Sequence, residues 1–144
     1  MRLDQSLAEA STTPPVTLSV NRRLQQTFRS PSYLETVSKL RRFASIAGIT
    51  ILIEGESGTG KSYHARYVHE VSQRSDGPFL TAMLSGMDDT FAESELFGHV
   101  AGAFTDARQP RRGLFASADG GTLFLDEVGK ASQHLQQLLL HVVE

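Results

Sequence analysis

Apolar positions recur along the chain with two periods. Leu34, Val37, Leu40 and Ala44 fall three to four residues apart, the spacing of one face of a helix. Ser30 before Pro31 reads as a cap with proline at the first helical position, and Gly48 suits the stop. Directly after it, Ile49-Thr50-Ile51-Leu52-Ile53 is a short, β-branched apolar run, predicted as a buried strand. Residues 62–73 return to helical spacing, with Tyr63, Tyr67 and Val71 on one face as core contacts. A turn over 74–78 leads into a second strand candidate, Phe79-Leu80-Thr81-Ala82-Met83-Leu84. Residues 88–97 are predicted helix, with Glu93 and Glu95 on a solvated acidic face; 98–112 reads as a glycine- and alanine-containing loop and 113–118 as one helical turn. Asp119-Gly120-Gly121 then turns the chain into Thr122-Leu123-Phe124-Leu125, a third buried strand, and residues 132–144 form a helix rich in leucine and glutamine. Strands alternating with helices indicate an α/β fold with a parallel sheet. Residues 1–29 contain the breaker cluster Ser11-Thr12-Thr13-Pro14-Pro15. They are expected to be a flexible tail or linker, with Arg22 and Arg23 a solvated pair, ahead of an ordered domain over 30–144.

Between the first strand and the second helix lies Gly55-Glu56-Ser57-Gly58-Thr59-Gly60-Lys61-Ser62. It satisfies the phosphate-loop pattern G-x-x-x-x-G-K-[ST] in the strand–turn–helix context that the pattern requires. Glycines let the backbone bend and turn its N–H groups inward, and the start of a helix adds partial positive charge, so the segment is a cradle for an anion. Lys61 would reach the β- and γ-phosphates of a nucleotide, and Ser62 would offer its hydroxyl to Mg²⁺. A second acidic half follows downstream. Leu123-Phe124-Leu125-Asp126-Glu127 is an apolar strand that delivers two adjacent carboxylates. Ligands of parallel sheets collect at the carboxyl ends of the strands, so the loop and the acidic pair are expected to meet at one edge. Asp126 would hold the Mg²⁺ shell, directly or through water, and Glu127 would polarise the attacking water at the γ-phosphate.

Composition changes this picture little but removes alternatives. The 144 residues, 40% of them hydrophobic, suffice for one domain with a buried core. A net charge of −2 argues against a generally basic nucleic-acid binder. There is no cysteine, hence no disulfide framework and no thiolate metal site, which is compatible with a cytoplasmic setting. No apolar run approaches the roughly 20 residues that span a bilayer, and Asp4 and Glu9 argue against a signal peptide. His64, His69, His99, His134 and His141 show no metal-ligand spacing with one another.

Four segments together resemble a known family. They are GESGTGK at 55–61, ESELFGH at 93–99, GAFTDA at 102–107 and GGTLFLDE at 120–127. Their order and spacing are similar to those of the AAA+ activators of sigma-54 RNA polymerase, the bacterial enhancer-binding proteins, over about residues 30–144. The resemblance implies a P-loop NTPase of three α/β/α layers around a parallel sheet. It further implies ATP and Mg²⁺ as cofactors, a homo-oligomeric, usually hexameric ring, and remodelling of sigma-54 RNA polymerase driven by hydrolysis. By the same resemblance Gly102, Ala103, Phe104, Thr105, Asp106 and Ala107 form the loop that contacts sigma-54. An exposed aromatic ring on a small-residue loop is physically suited to that contact. Any role with DNA would come through a segment absent here, and no membrane is implicated.

The chain departs from the family pattern in several places. Asp106 stands where the family has glycine, and a charge at the contact tip is expected to weaken engagement of sigma-54. Met83-Leu84 stand where the family carries Asn-Cys; that asparagine couples the catalytic glutamate to the γ-phosphate, and methionine cannot make its hydrogen bonds. Ser62 replaces a residue that is commonly Glu. The family's later sheet strand, arginine fingers, lid and helix-turn-helix would lie beyond Glu144. The missing strand would sit between residues 49–54 and 122–126, leaving two apolar edges unpaired. The in-trans arginine is worth about 10³–10⁵ in rate in related chemistry, so hydrolysis by the chain alone is expected to be poor. The main expectation is an ATP-binding sigma-54 interaction domain. The alternatives are a catalytically inactive nucleotide-binding or ring-inserting module, and an unrelated small P-loop NTPase, which leaves ESELFGH and GAFTDA unexplained.

Overall fold

The computed structural model describes residues 30–103 and 109–143. Helix α1 covers Pro31–Ala44, with Pro31 in its first turn and the backbone N–H of Tyr33 donating to the Ser30 hydroxyl. It ends at Ala44, four residues before the glycine expected to stop it. Helix α2, Lys61–Val71, starts on Gly60. Strand β1 is Phe79–Met83, and helix α3, Asp89–Phe97, is capped by the Asp88 carboxylate, which accepts from the N–H of Thr90. Two short strands follow, β2 at Gly98–His99 and β3 at Arg111–Arg112, then the single-turn helix α4, Leu114–Ser117. Strand β4 is Thr122–Asp126, a 3₁₀ turn spans Val128–Lys130, and helix α5 is Gln133–Val143.

Strands β1 and β4 pair in parallel, in a register that sets Phe79 against Thr122 and Met83 against Asp126. Side chains alternate across a strand, and the two faces take different helices. Ala82, Leu84 and Leu125 join Ala92 and Leu96 of α3 and Leu135 and Leu139 of α5 in the larger core. The opposite face, with Phe79 and Thr122, receives α2: the His69 ring lies tilted against Phe79, their centres 5.3 Å apart, and the Arg66 guanidinium lies 4.7 Å from the centre of the Phe79 ring. Helix α1 closes this side, with Leu40 and Tyr67 at the centre of the smaller core. The described part is therefore α/β/α in layering, as expected.

Three expectations are corrected. Residues 49–53 form no strand and are not buried: Leu52 is 71% exposed and Ile49 39%. Among the described residues no strand pairs with them, and an apolar run gains neither ladder hydrogen bonds nor burial without a neighbour. The segment 98–112 is not wholly loop, because β2 and β3 pair antiparallel, Gly98 with Arg112 and His99 with Arg111. Finally, only part of the expected helix faces is core. Tyr67 is buried, whereas Tyr63 and Leu34 are about half exposed, at 50% and 49%.

Candidate functional site

The glycine-rich segment folds as a tight loop onto the start of α2. Gly58 (φ 81°) and Gly60 (φ 82°) adopt the left-handed conformation that residues with a Cβ rarely take. The loop is braced internally, because the Thr59 hydroxyl donates to the carbonyl of Glu56 at 2.8 Å. Lys61 folds back over it, its ammonium donating to the carbonyls of Gly55 (3.0 Å) and Glu56 (2.9 Å). The cation is thus held against the backbone of the loop. Ser57 and Ser62 belong to the same turn and helix start.

Helix α2 and strand β4 run in opposite directions on one sheet face. Near the end of α2, His69 Nδ1 hydrogen-bonds with the Thr122 hydroxyl at 3.0 Å, and the Arg74 guanidinium donates to the carbonyl of Gly121 at 3.4 Å. From His69 back to Lys61 the helix covers about 12 Å at roughly 1.5 Å per residue. From Thr122 forward to Asp126 the strand covers about 13 Å at roughly 3.3 Å per residue. The two lengths match, so the phosphate-loop end of α2 comes level with the acidic end of β4. By alternation Asp126 lies on the same face as Thr122, the face that α2 covers. Lys61 is close enough to Glu127 to help hold its carboxyl below the usual carboxylate range.

At the acidic end, the Asp126 carboxylate accepts from the backbone N–H of Glu127 at 2.9 Å, and its carbonyl accepts from the N–H of Leu84 at 3.1 Å. Glu127 leaves the strand in a left-handed conformation (φ 57°) and pairs with Lys130, Nζ to Oε1 at 2.5 Å. Its lowered pKa comes first from the hydrogen bond to Lys130, then from that to Ser85, with the charges of Lys130 and Lys61 adding to it and partial burial opposing. Met83 stands directly beside Asp126 in the ladder and is 56% exposed, so no polar group at the end of β1 projects from that position. A serine hydroxyl and a carboxylate are hard oxygen donors, the set that Mg²⁺ prefers. Ser62 and Asp126 therefore fit such an ion, with the Lys61 ammonium suited to phosphate oxygens.

Of the expected sigma-54 loop, Gly102 (φ 84°) and Ala103 form an exposed turn, and the N–H of Ala103 donates to the carbonyl of Val100 at 3.2 Å. Phe104, Thr105, Asp106 and Ala107 lie outside the described residues. The root of the loop is well defined. His99 Nε2 donates to the carbonyl of Gln109 at 2.9 Å, which leaves Nδ1 of the neutral ring to accept from the Ser94 hydroxyl at 2.6 Å. The carboxylate of Glu95 pairs with Arg111, and that of Glu93 with His134 on α5. The supposedly solvated acidic face of α3 therefore fastens the loop root on one side and α5 on the other. Sequence reasoning missed His99, Ser85 and Lys130 as partners. Only the five-residue spacing of Ser94 and His99 and the proximity of Lys130 to Glu127 were visible as signals. Among the described residues no cluster of three or more His, Asp or Glu could hold a metal ion by itself.

The chain matches the family model of the Sigma-54 interaction domain over residues 27–144. It is 48% identical over 115 residues to a Nif-specific regulatory protein of Rhodobacter capsulatus, covering 80% of this chain and 20% of that protein. It is 42% identical over 132 residues to the transcriptional regulatory protein ZraR of Escherichia coli, covering 92% of this chain and 29% of the relative. The chain thus spans between a fifth and a third of the length of these relatives. Among solved structures it is similar to NtrX from Brucella abortus, with TM-score 0.69, 29% identity, and coverage of 86% of this chain and 28% of NtrX. NtrX in complex with ATP gives TM-score 0.65 at 31% identity, covering 80% of this chain and 24% of the other. With a family-model match over residues 27–144 and identities well above 30%, the chain belongs to the sigma-54 interaction domain family.

Proposed function

We propose that this chain is the nucleotide-binding portion of a sigma-54-dependent transcriptional regulator. It binds ATP through Gly55, Glu56, Ser57, Gly58, Thr59, Gly60, Lys61 and Ser62, with Mg²⁺ held by Ser62 and Asp126. The observation that carries the reading is the opposed run of α2 and β4 on one face, tied at His69 and Thr122. It brings the Lys61 ammonium and the carboxylates of Asp126 and Glu127 to one end of the sheet. The NtrX relative is described in complex with ATP, which supports the same ligand here. When bound, Mg²⁺ neutralises charge on the phosphates. The chain's own residues do the rest. Loop amides and Lys61 bind and orient the triphosphate, and the Glu127 carboxylate orients a water for in-line displacement. In an assembled ring this hydrolysis would move the loop at residues 102–107 against sigma-54 RNA polymerase, in the cytoplasm.

Titration with a fluorescent ATP analogue tests the reading. Lys61→Ala should weaken binding by at least roughly tenfold, and Asp126→Ala should remove its Mg²⁺ dependence. Glu127→Gln should keep affinity and lose hydrolysis. Wild-type affinity in Lys61→Ala would sink the assignment. Met83 beside Asp126 favours a second reading, a module that binds nucleotide and enters rings of an intact activator without turnover. Co-expression decides between the two, since absence of co-purification with an intact activator counts against the second.

A further inference from the structure

His64 stands in the first turn of α2 and reaches back to the phosphate loop. Its ring Nδ1 lies 2.9 Å from the carbonyl oxygen of Gly60, and its backbone N–H donates to the same oxygen at 3.0 Å. A carbonyl only accepts, so Nδ1 carries the ring proton, and both lone pairs of the Gly60 oxygen are engaged. The backbone bond belongs to the helix; the ring bond is additional to it. At His141 the same back-bond, to Gln137, is made by an exposed ring and joins only residues of one helix. The His64 ring is instead confined. Tyr33 of α1 lies tilted against it, the ring centres 5.7 Å apart, and Nε2 is buried with no hydrogen-bond partner among the described residues. Burying a ring nitrogen without a partner costs free energy. Packing of α2 on α1 does not require that cost, since an apolar side chain would fill the same place.

We infer that His64 is a positioning residue for nucleotide binding, its ring clamping the Gly60–Lys61 peptide so that the Lys61 N–H faces the phosphates. The inference rests on the reading of residues 55–62 as the ATP site. Across a planar trans peptide the carbonyl and the N–H point in opposite directions. The Gly60 carbonyl is drawn along the helix towards His64, so the N–H of Lys61, the first residue of α2, is turned out of the helix start towards the loop. Gly60, at φ 82° and ψ 28°, has no Cβ to limit rotation of that peptide, and the ring bond supplies the missing restraint. Rotated the other way, the peptide would present its carbonyl oxygen to the phosphates and repel them. One hydrogen bond, net, shifts such an equilibrium by about 2- to 12-fold, and affinity follows the clamped fraction. His64 acts through the backbone and not on the nucleotide.

Calorimetric titration of the chain with ATP and with inorganic tripolyphosphate, each with Mg²⁺, tests the clamp in His64→Phe, His64→Asn and Lys61→Ala. His64→Phe keeps a ring against Tyr33 and loses the donor. It should bind both ligands about 2- to 12-fold more weakly while melting no lower than the wild type, because the buried unpartnered nitrogen is removed along with the bond. A merely structural role would lower melting temperature and affinity together, and that result overturns the clamp. His64→Asn places an amide N–H near the position of Nδ1 and should recover most of the affinity; a variant as weak as His64→Phe counts equally against the proposal. A loss confined to ATP would point to contact with the base and overturn it too. Nitrogen-15 spectra of the imidazoles add a readout independent of ligand, in which His64 should be the Nδ1–H tautomer; a ring protonated at Nε2 alone refutes the clamp. Wild-type affinity in Lys61→Ala removes the ATP site and the clamp with it, whereas a weakened Lys61→Ala beside an unimpaired His64→Phe overturns the clamp alone.

Discussion

The imidazole of His69 meets the hydroxyl of Thr122 at 3.0 Å and joins the far end of the phosphate-loop helix to the start of the acidic strand. Because helix and strand cover nearly equal lengths from that point, one hydrogen bond at the base of the sheet sets which groups face each other at its top. His69 is buried, and burial first, then the neighbouring Arg66 charge, lowers its pKa against the smaller raising effect of Glu70. In the folded chain the ring therefore stays neutral to lower pH than the ordinary 6.5. The unfolded chain binds the proton first, so this contribution to stability is complete above pH 6.5 and is lost as pH falls from there towards the depressed folded value. Urea titrations should show stability declining through that window by at most about 1.4 kcal/mol per pH unit from this one group. His69→Gln should remove that component of the slope, and an unaltered pH profile in the variant would rule the mechanism out.

Two glycines hold the root of the 98–112 segment by close backbone approach. A Cβ on Gly113 would lie 2.3 Å from the carbonyl carbon of Phe97, and one on Gly98 would lie 2.4 Å from the carbonyl oxygen of Arg111. Backbone cannot yield as a side-chain tip does, so Gly113→Ala should cost about 3 kcal/mol or more. Gly129→Ala, whose Cβ would meet nothing within 4 Å, should stay within about 0.5 kcal/mol of the wild type. Thermal melts of the two variants side by side make the comparison, and equal melting would refute the packing argument.

Burial separates two apolar segments that look alike on paper. Leu96 and Leu135 are 0% and 1% exposed in the larger core, so truncating either to alanine should cost about 2–5 kcal/mol. Leu52, at 71% exposure, should tolerate the same change to within about 0.5 kcal/mol. A large loss of stability in Leu52→Ala would restore the buried strand expected at 49–53.

Gly60 begins α2 at φ 82°. A Cβ there is strained by about 1–2 kcal/mol, although its nearest neighbours, 3.9 Å or more away, leave room for it. Gly60→Ala should therefore fold, with the loop amides turned from their cradle and ATP affinity reduced by roughly tenfold. Calorimetric titration would detect this, and full affinity in the variant would mean that the left-handed turn does not shape the site.

Much of the local structure around the candidate site was legible in the sequence. The cap at Ser30, the loop over residues 55–62, the strand ending at Asp126 and the helix at 133–143 follow from short-range rules of spacing, capping and turn formation, which operate within a few residues. What failed to read was partnership. Residues 49–53 carry the composition of a strand, but composition cannot supply the neighbour that makes one. Glu93 and Glu95 looked like solvent-facing charges, and their engagement depends on His134 and Arg111, which local periodicity does not bring near them.

The sequence by itself determined the kind of chemistry: a backbone cradle with a lysine, two adjacent carboxylates, and a family signature spread over four segments. Only the tertiary structure decided that cradle and carboxylates share one end of a two-stranded sheet, and that Glu127 rests against Lys130 and Ser85. The reason is physical. Residue types and short spacings specify which groups can bind phosphate or orient water. Their mutual distance is set by the antiparallel run of a helix against a strand, and hence by contacts such as that of His69 with Thr122 across more than fifty residues.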